Sequence, residues 1–191
     1  MNSVKISNME PQNPFVFLIN ILLDLYIIVL MLRFILQQVR ADFYNPLSQF
    51  IVKVTAPVLN PARRLIPSVR NIDTATFIVI VLFIIVKIFL VALLSGYTPS
   101  LLTLLMMGIR DFITLALNIF IFAIIIQAIL SWINPDPYNP VTGVLFSITR
   151  PVLQPVRRWI KPIEGLDLSP LFAVIGLIFI KLLVDNLFAM F

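Results

Sequence analysis

Asp24, Lys87, Lys181 and Asp185 lie inside long apolar runs of the chain. An ionised side chain there costs about 2.5–3.5 kcal/mol to insert into a bilayer. Charges kept at such a cost either handle an ion or proton or hold helices together as buried pairs. The spans offer no chain of further ionisable groups, so the pairing reading is preferred. Arg33 is also within a span, but near its end, where it can snorkel. A second set of candidates occurs twice: Arg63 with Arg64, and Arg157 with Arg158, each closing the pattern P-V-L-x-P-x-R-R. Guanidinium groups at headgroup level suit an anionic lipid or an acidic protein partner, at about 1 kcal/mol per basic residue. They equally serve as plain topology anchors, and both readings stand open. The chain has no histidine and no cysteine, which removes imidazole bases, thiolate nucleophiles, disulfides and the usual zinc sites together. No G-x-G-D motif flanks Asp24 or Asp185, which disfavours an intramembrane aspartyl protease, and five glycines leave little room for a phosphate loop. No catalytic residue, cofactor or metal is expected.

The elements that must position these residues are four apolar stretches, at roughly 15–36, 76–96, 112–133 and 170–190. Each is near the ~20 residues a helix needs to cross a ~30 Å hydrocarbon core. Only 12% of the residues are charged and 60% are hydrophobic, whereas a soluble domain is nearer a quarter charged. An all-helical soluble fold would have too little polar surface to cover four such helices. The first stretch is not read as a cleaved signal, because its core is long and only Lys5 precedes it. The net charge of +5 is explained by membrane topology rather than by nucleic acid. Arg40, Lys53, Arg63, Arg64, Arg70, Arg150, Arg157, Arg158 and Lys161 fall in two loops, against Lys5 and Arg110 elsewhere. That bias places both loops in the cytoplasm of a multi-pass inner-membrane protein.

The loops also repeat. Residues 44–66 reappear at 138–160 with an offset of 94, and 11 of the 23 positions are identical, among them Thr55/Thr149, Pro57/Pro151 and Arg63/Arg157. The same register pairs Asp73 with Asp167 and Lys87 with Lys181. We read this as an internal duplication. The fold expected is therefore an all-α membrane protein with four transmembrane helices in two parallel two-helix hairpin repeats. The first repeat spans 15–96 and the second 110–191, after a tail at 1–14 and with an interfacial linker at 97–109 between them. Parallel repeats differ from the inverted ones of many secondary transporters. Within each loop, Asn45 and Asn139 are natural N-caps with Pro46 and Pro140 at the first helical position. The spacing Leu47, Phe50, Ile51, Val54 then predicts an amphipathic interfacial helix, with Ser48, Gln49, Lys53 and Thr55 opposite. Val141, Val144, Leu145 and Ile148 repeat the spacing, and Pro57 and Pro151 are expected to kink or end each helix.

Asp24 and Lys87 each lie about nine residues, ~13 Å, from the outer ends of their helices and are expected to meet across the first hairpin. In the second hairpin Asn118 stands at the position of Asp24. There Asp185, four residues beyond Lys181 on the same helix face, is expected to supply the carboxylate.

The two-copy pattern of Y-N-P, then T-x-P-V-L-x-P-x-R-R, then Asp73 or Asp167 before a helix with a central lysine, resembles the YggT (YlmG) family of bacterial and plastid membrane proteins. The resemblance covers roughly residues 15–188. It implies an inner-membrane, thylakoid or plastid-envelope protein without established enzymatic activity. The family is linked to osmotic tolerance and potassium uptake, to the neighbourhood of cell-division genes and to cytochrome b6f maturation. No catalytic residue carries over from it. Gln127 and Asn118 stand where the first repeat has Arg33 and Asp24, so a job needing those charges twice is in doubt. The leading expectation is a non-enzymatic assembly or organising factor, with anionic lipids and another membrane protein or itself as partners. The alternative is a subunit of a cation uptake system.

Overall fold

The computed structural model describes residues 14–69, 72–96, 98–133, 139–160 and 167–189. The tail up to residue 13 and the basic residues Arg70 and Lys161, along with Tyr138, lie outside them. Among the described residues the chain forms six helices: α1 (Pro14–Gln38), α2 (Pro46–Leu65), α3 (Thr74–Leu94), α4 (Leu101–Ile133), α5 (Pro140–Trp159) and α6 (Ser169–Phe188). Four of them, α1, α3, α4 and α6, are long and apolar enough to cross a membrane.

The helix boundaries follow from cap chemistry. Asn45 and Asn139 hold extended backbone conformations and accept the amides of Leu47 and Val141, each at 2.9 Å, with Pro46 and Pro140 next. Asp73 caps α3 by accepting the Thr76 amide at 3.1 Å. α3 closes on Gly96, whose φ of 72° is free of steric cost in glycine. α1 closes the same way, but on a residue with a side chain: Arg40 has φ 52°. Its amide bonds the Gln37 carbonyl at 3.2 Å and the next amide, of Ala41, reaches back to Leu36 at 2.9 Å, the paired bonds of a Schellman ending.

Three sequence expectations are corrected here. The segment 97–109, expected as a linker, is helical from Leu101 and runs without a break into α4. α2 and α5 do not end at Pro57 and Pro151; each continues through a second proline, Pro61 and Pro155, to Leu65 and Trp159. The carbonyls four residues before each proline lose their usual donor, a loss that these helices tolerate at four positions. On α2 the buried face is also turned from the expected one. Ser48, Ile51, Thr55 and Leu59 are buried on α2, while Phe50 is 59% exposed. On α5 the buried set keeps Val144, Leu145 and Ile148 of the expected face and adds Thr149 and Leu153. The apolar face expected from the spacing is thus shared between the protein and the surroundings. Thr55 and Thr149 enter the core because each hydroxyl donates to a carbonyl four residues back, Ile51 at 2.7 Å and Leu145 at 2.9 Å, so neither is unsatisfied.

In the bundle α1 packs on α3, α4 on α6 and α3 on α4, with α2 and α5 laid against the ends of these helices and touching each other. Asn45 joins the last two directly, donating from Nδ2 to the Pro140 carbonyl at 2.8 Å. Leu30, Met31, Ile80 and Ile84 anchor the main core. α4 comes so close to α3 at Gly108 that a Cβ there would meet Ile85 Cγ1 at 2.8 Å. Small residues permit this kind of approach between membrane helices.

Candidate functional site

Two layers of polar side chains stand out, one among the spanning helices and one at the end where α2 and α5 lie. In the first, the Lys87 ammonium donates to Asp24 Oδ1 at 2.7 Å, joining α3 to α1 as the sequence predicts. At the positions 94 residues on, Lys181 donates to Asn118 Oδ1 at 2.9 Å, joining α6 to α4. Asp185 does not serve Lys181, which corrects the expected second pair. It accepts instead from Arg110, whose Nε and Nη2 lie 3.1 and 2.9 Å from Oδ1. The physical reason is the early start of α4 at Leu101, which makes Arg110 a helix-borne neighbour of α6. Beside them, Asp111 Oδ1 lies 3.8 Å from Arg110 Nη1. Lys87, Lys181 and Arg110 with Asp24, Asp111 and Asp185 therefore form a belt of three bases and three acids, wider than the four residues singled out from sequence.

At the other layer, Arg63 and Arg157 do not project freely toward headgroups, as expected for both arginine pairs. Arg63 donates from Nε to Asp73 at 3.1 Å and from Nη2 to Asp73, to Gln37 at 3.1 Å and to Thr76 at 3.4 Å. Arg157 donates from Nε to Asp167 at 2.9 Å. Each arginine thus ties the last turn of a loop helix to the start of the next spanning helix. Asp73 is the more deeply placed acceptor, its side chain 4% exposed against 34% for Asp167. Burial pulls the Asp73 carboxyl upward, but bonds from Thr76 and Arg63 outweigh it and hold the group below the usual carboxylate range. The same balance, with Ser169 and Arg157, lowers Asp167. Arg64 and Arg158 are exposed and without a partner among the described residues. The partner aspartates were detectable in the sequence: Arg63 and Asp73 are ten residues apart, as are Arg157 and Asp167.

Among the described residues no group of histidine, cysteine or acidic side chains is arranged to hold a metal. Four membrane-length apolar helices, with charges paired between neighbours, define the class as a helical membrane protein. The chain belongs to the CCB3/YggT family, whose model matches it twice, over residues 12–94 and 106–188. It is 45% identical over 173 residues to an uncharacterized protein of Pseudomonas aeruginosa, covering 90% of this chain and 88% of that one. An uncharacterized protein from the proC 3′ region of Vibrio alginolyticus is 42% identical, over 92% of this chain and 96% of its own length. The uncharacterized protein YggT of Escherichia coli is 35% identical, over 90% of this chain and 89% of its own. No solved structure matches the chain.

Proposed function

We propose that this protein is a non-enzymatic assembly or organising factor of the bacterial inner membrane that supports envelope processes such as osmotic tolerance. The observation that carries the reading is the self-pairing of charges among the apolar helices: Lys87 with Asp24, Lys181 with Asn118 and Arg110 with Asp185. A conducting path needs polar groups left available to the ion along its length. Here Lys87, Lys181 and Arg110 are each taken by an acceptor on a neighbouring helix, and Arg33 lies near the end of α1 rather than along the span. Outside that belt the helices turn large apolar side chains outward, such as Phe17, Leu25, Phe122 and Phe179, a surface for lipid or for another membrane protein. The proposed arrangement is two parallel hairpin repeats with α2 and α5 as proline-kinked interfacial helices. It draws support from caps and ion pairs that recur 94 residues apart: Asn45 with Asn139, and Arg63–Asp73 with Arg157–Asp167. The basic loops face the cytoplasm in this arrangement.

One observation favours the second reading, a subunit for cation uptake. Asp111 lies 3.8 Å from Arg110, which also holds Asp185, so two carboxylates share one guanidinium inside the bundle. A double substitution separates the two. Asp24→Asn should lower the yield of folded protein by leaving Lys87 without its counter-charge, and adding Lys87→Met should recover much of the loss. In a strain lacking the native protein, the double variant should then restore growth under osmotic stress. A double variant that folds at wild-type yield but supports neither growth nor potassium influx would instead establish the cation reading.

A further inference from the structure

The two arginine clamps are not equivalent, and the difference opens a cavity. In the first, Arg63 reaches Gln37, Asp73 and Thr76. The corresponding positions of the second clamp, 94 residues on, hold Ser131, Asp167 and Pro170. Serine is too short to follow Gln37, and proline offers no hydroxyl in place of Thr76. Arg157 is left with Asp167 at its Nε, and its terminal nitrogens have no partner among the described residues. Where the Gln37 side chain would have lain, a cavity of about 590 Å³ opens, lined by Arg40, Arg150, Arg157, Gln127 and Ser131, with Leu130 and Phe146 on its apolar wall. No acidic residue lines it. Arg40 and Arg150 make no side-chain hydrogen bond or ion pair among the described residues. Arg40 also stands at the left-handed position that ends α1, where glycine is the easy choice and a side chain costs about 1–2 kcal/mol. Strain kept at a cavity lip points to a used side chain.

We propose that this cavity binds the phosphate of an anionic phospholipid, held by Arg40, Arg150 and Arg157, with the start of an acyl chain against Leu130 and Phe146. Three guanidinium groups offer forked donors matched to phosphate oxygens. The apolar wall selects a lipid over a free ion, since inorganic phosphate has nothing to place there. The site lies at the ends of α1 and α4 and along α5, where headgroups lie if the four apolar helices cross the bilayer. The binding holds whether the protein organises partners or moves a cation.

The test uses the full chain purified in nanodiscs of phosphatidylcholine containing a minority of phosphatidylglycerol, with retained lipid counted by native mass spectrometry. Arg40→Gln and Arg150→Gln should each weaken phosphatidylglycerol retention about fivefold. Neither side chain takes part in a clamp, so both variants should fold. Ser131→Gln keeps every charge but copies the residue of the first clamp; its amide oxygen should occupy the terminal nitrogens of Arg157, as Gln37 does for Arg63, and weaken the preference. Lys53→Gln, which removes one charge from an exposed site away from the cavity, should change nothing. Equal losses from Lys53→Gln and Arg40→Gln would overturn the proposal in favour of diffuse attraction. Full retention by Ser131→Gln would overturn the cavity, and displacement of the lipid by inorganic phosphate would overturn the lipid as its occupant.

Discussion

Arg63 and Asp73 form the most deeply placed ion pair among the described residues, and they define what a single atom change should do. Asp73 accepts from the Thr76 amide and hydroxyl as well as from Arg63, so one carboxylate both caps α3 and holds α2 to it. Asp73→Asn keeps an acceptor for the cap but removes the charge. It should cost about 1.5–3 kcal/mol, the range for hydrogen bonds to charged groups. Asp167→Asn should cost less, because the Arg157–Asp167 pair is more exposed, at 44% and 34%, and solvent screens it. The pH dependence follows from the direction of the shift. The folded carboxyl of Asp73 lies below its usual range, so the clamp contributes fully above the unfolded value of about 3.9. That contribution is lost as pH falls through the lower folded value. Thermal unfolding in detergent should therefore show an acid-side loss of stability in the wild type that is reduced in Asp73→Asn. Equal midpoints for wild type and Asp73→Asn at neutral pH would remove the clamp from the account. The belt among the spans shows why residue types alone misassign partners. Lys181 and Asp185 share a face and look like a pair, but the Asp185 oxygen takes the two-pronged Arg110 from the facing helix. Asn118 suffices for Lys181.

At the scale of elements, the N-terminal ends of α2 and α5 were legible because Asn45 and Asn139 have the side chains that caps require. The start of α4 was not. Pro99–Gly108 is too short to span a membrane by itself, and only its continuity with the next apolar run makes it the opening turns of a 33-residue helix. The buried face of α2 was misjudged for a different reason. Ser48 and Thr55 are small, and a threonine whose hydroxyl bonds its own helix packs like valine, so polarity gave the wrong side. The contact that sets α4 against α3 is made by a residue with no side chain at all. Gly108→Val would drive two methyl groups into Ile85 and Val81, forcing the helices apart at about 1–3 kcal/mol. Gly176 has open space around its Cβ position, and Gly176→Val should be tolerated. Folded yield after detergent extraction should fall for the first variant and hold for the second; equal yields would show that the close approach at Gly108 is not needed.

For the molecule as a whole, hydropathy located the four spanning helices, while the asymmetry between the two halves was only partly readable. Gln127 for Arg33 and Asn118 for Asp24 were visible in the sequence, but Ser131 for Gln37 gained meaning only once Arg63 was seen to bond Gln37. Orientation is the property of the whole that remains to be measured, and the structure sharpens the expectation. Arg110, counted from the sequence on the side opposite the basic loops, is a partner of Asp185 within the helical bundle. Removing it from that side leaves Lys5 against nine basic residues in the two loops, a stronger bias toward a cytoplasmic position for both. The absence of cysteine from the whole sequence gives a clean background for labelling. Ser68, after α2, and Ser100, before α4, are both exposed and lie at opposite ends of α3. In intact cells Ser100→Cys should react with a membrane-impermeant maleimide and Ser68→Cys should react only after lysis. The reverse pattern would place the arginine clamps and the cavity of Arg157 outside the cytoplasm. Labelling of both in intact cells would mean that α3 does not cross the membrane, because its two ends cannot share one side of a bilayer that the helix spans.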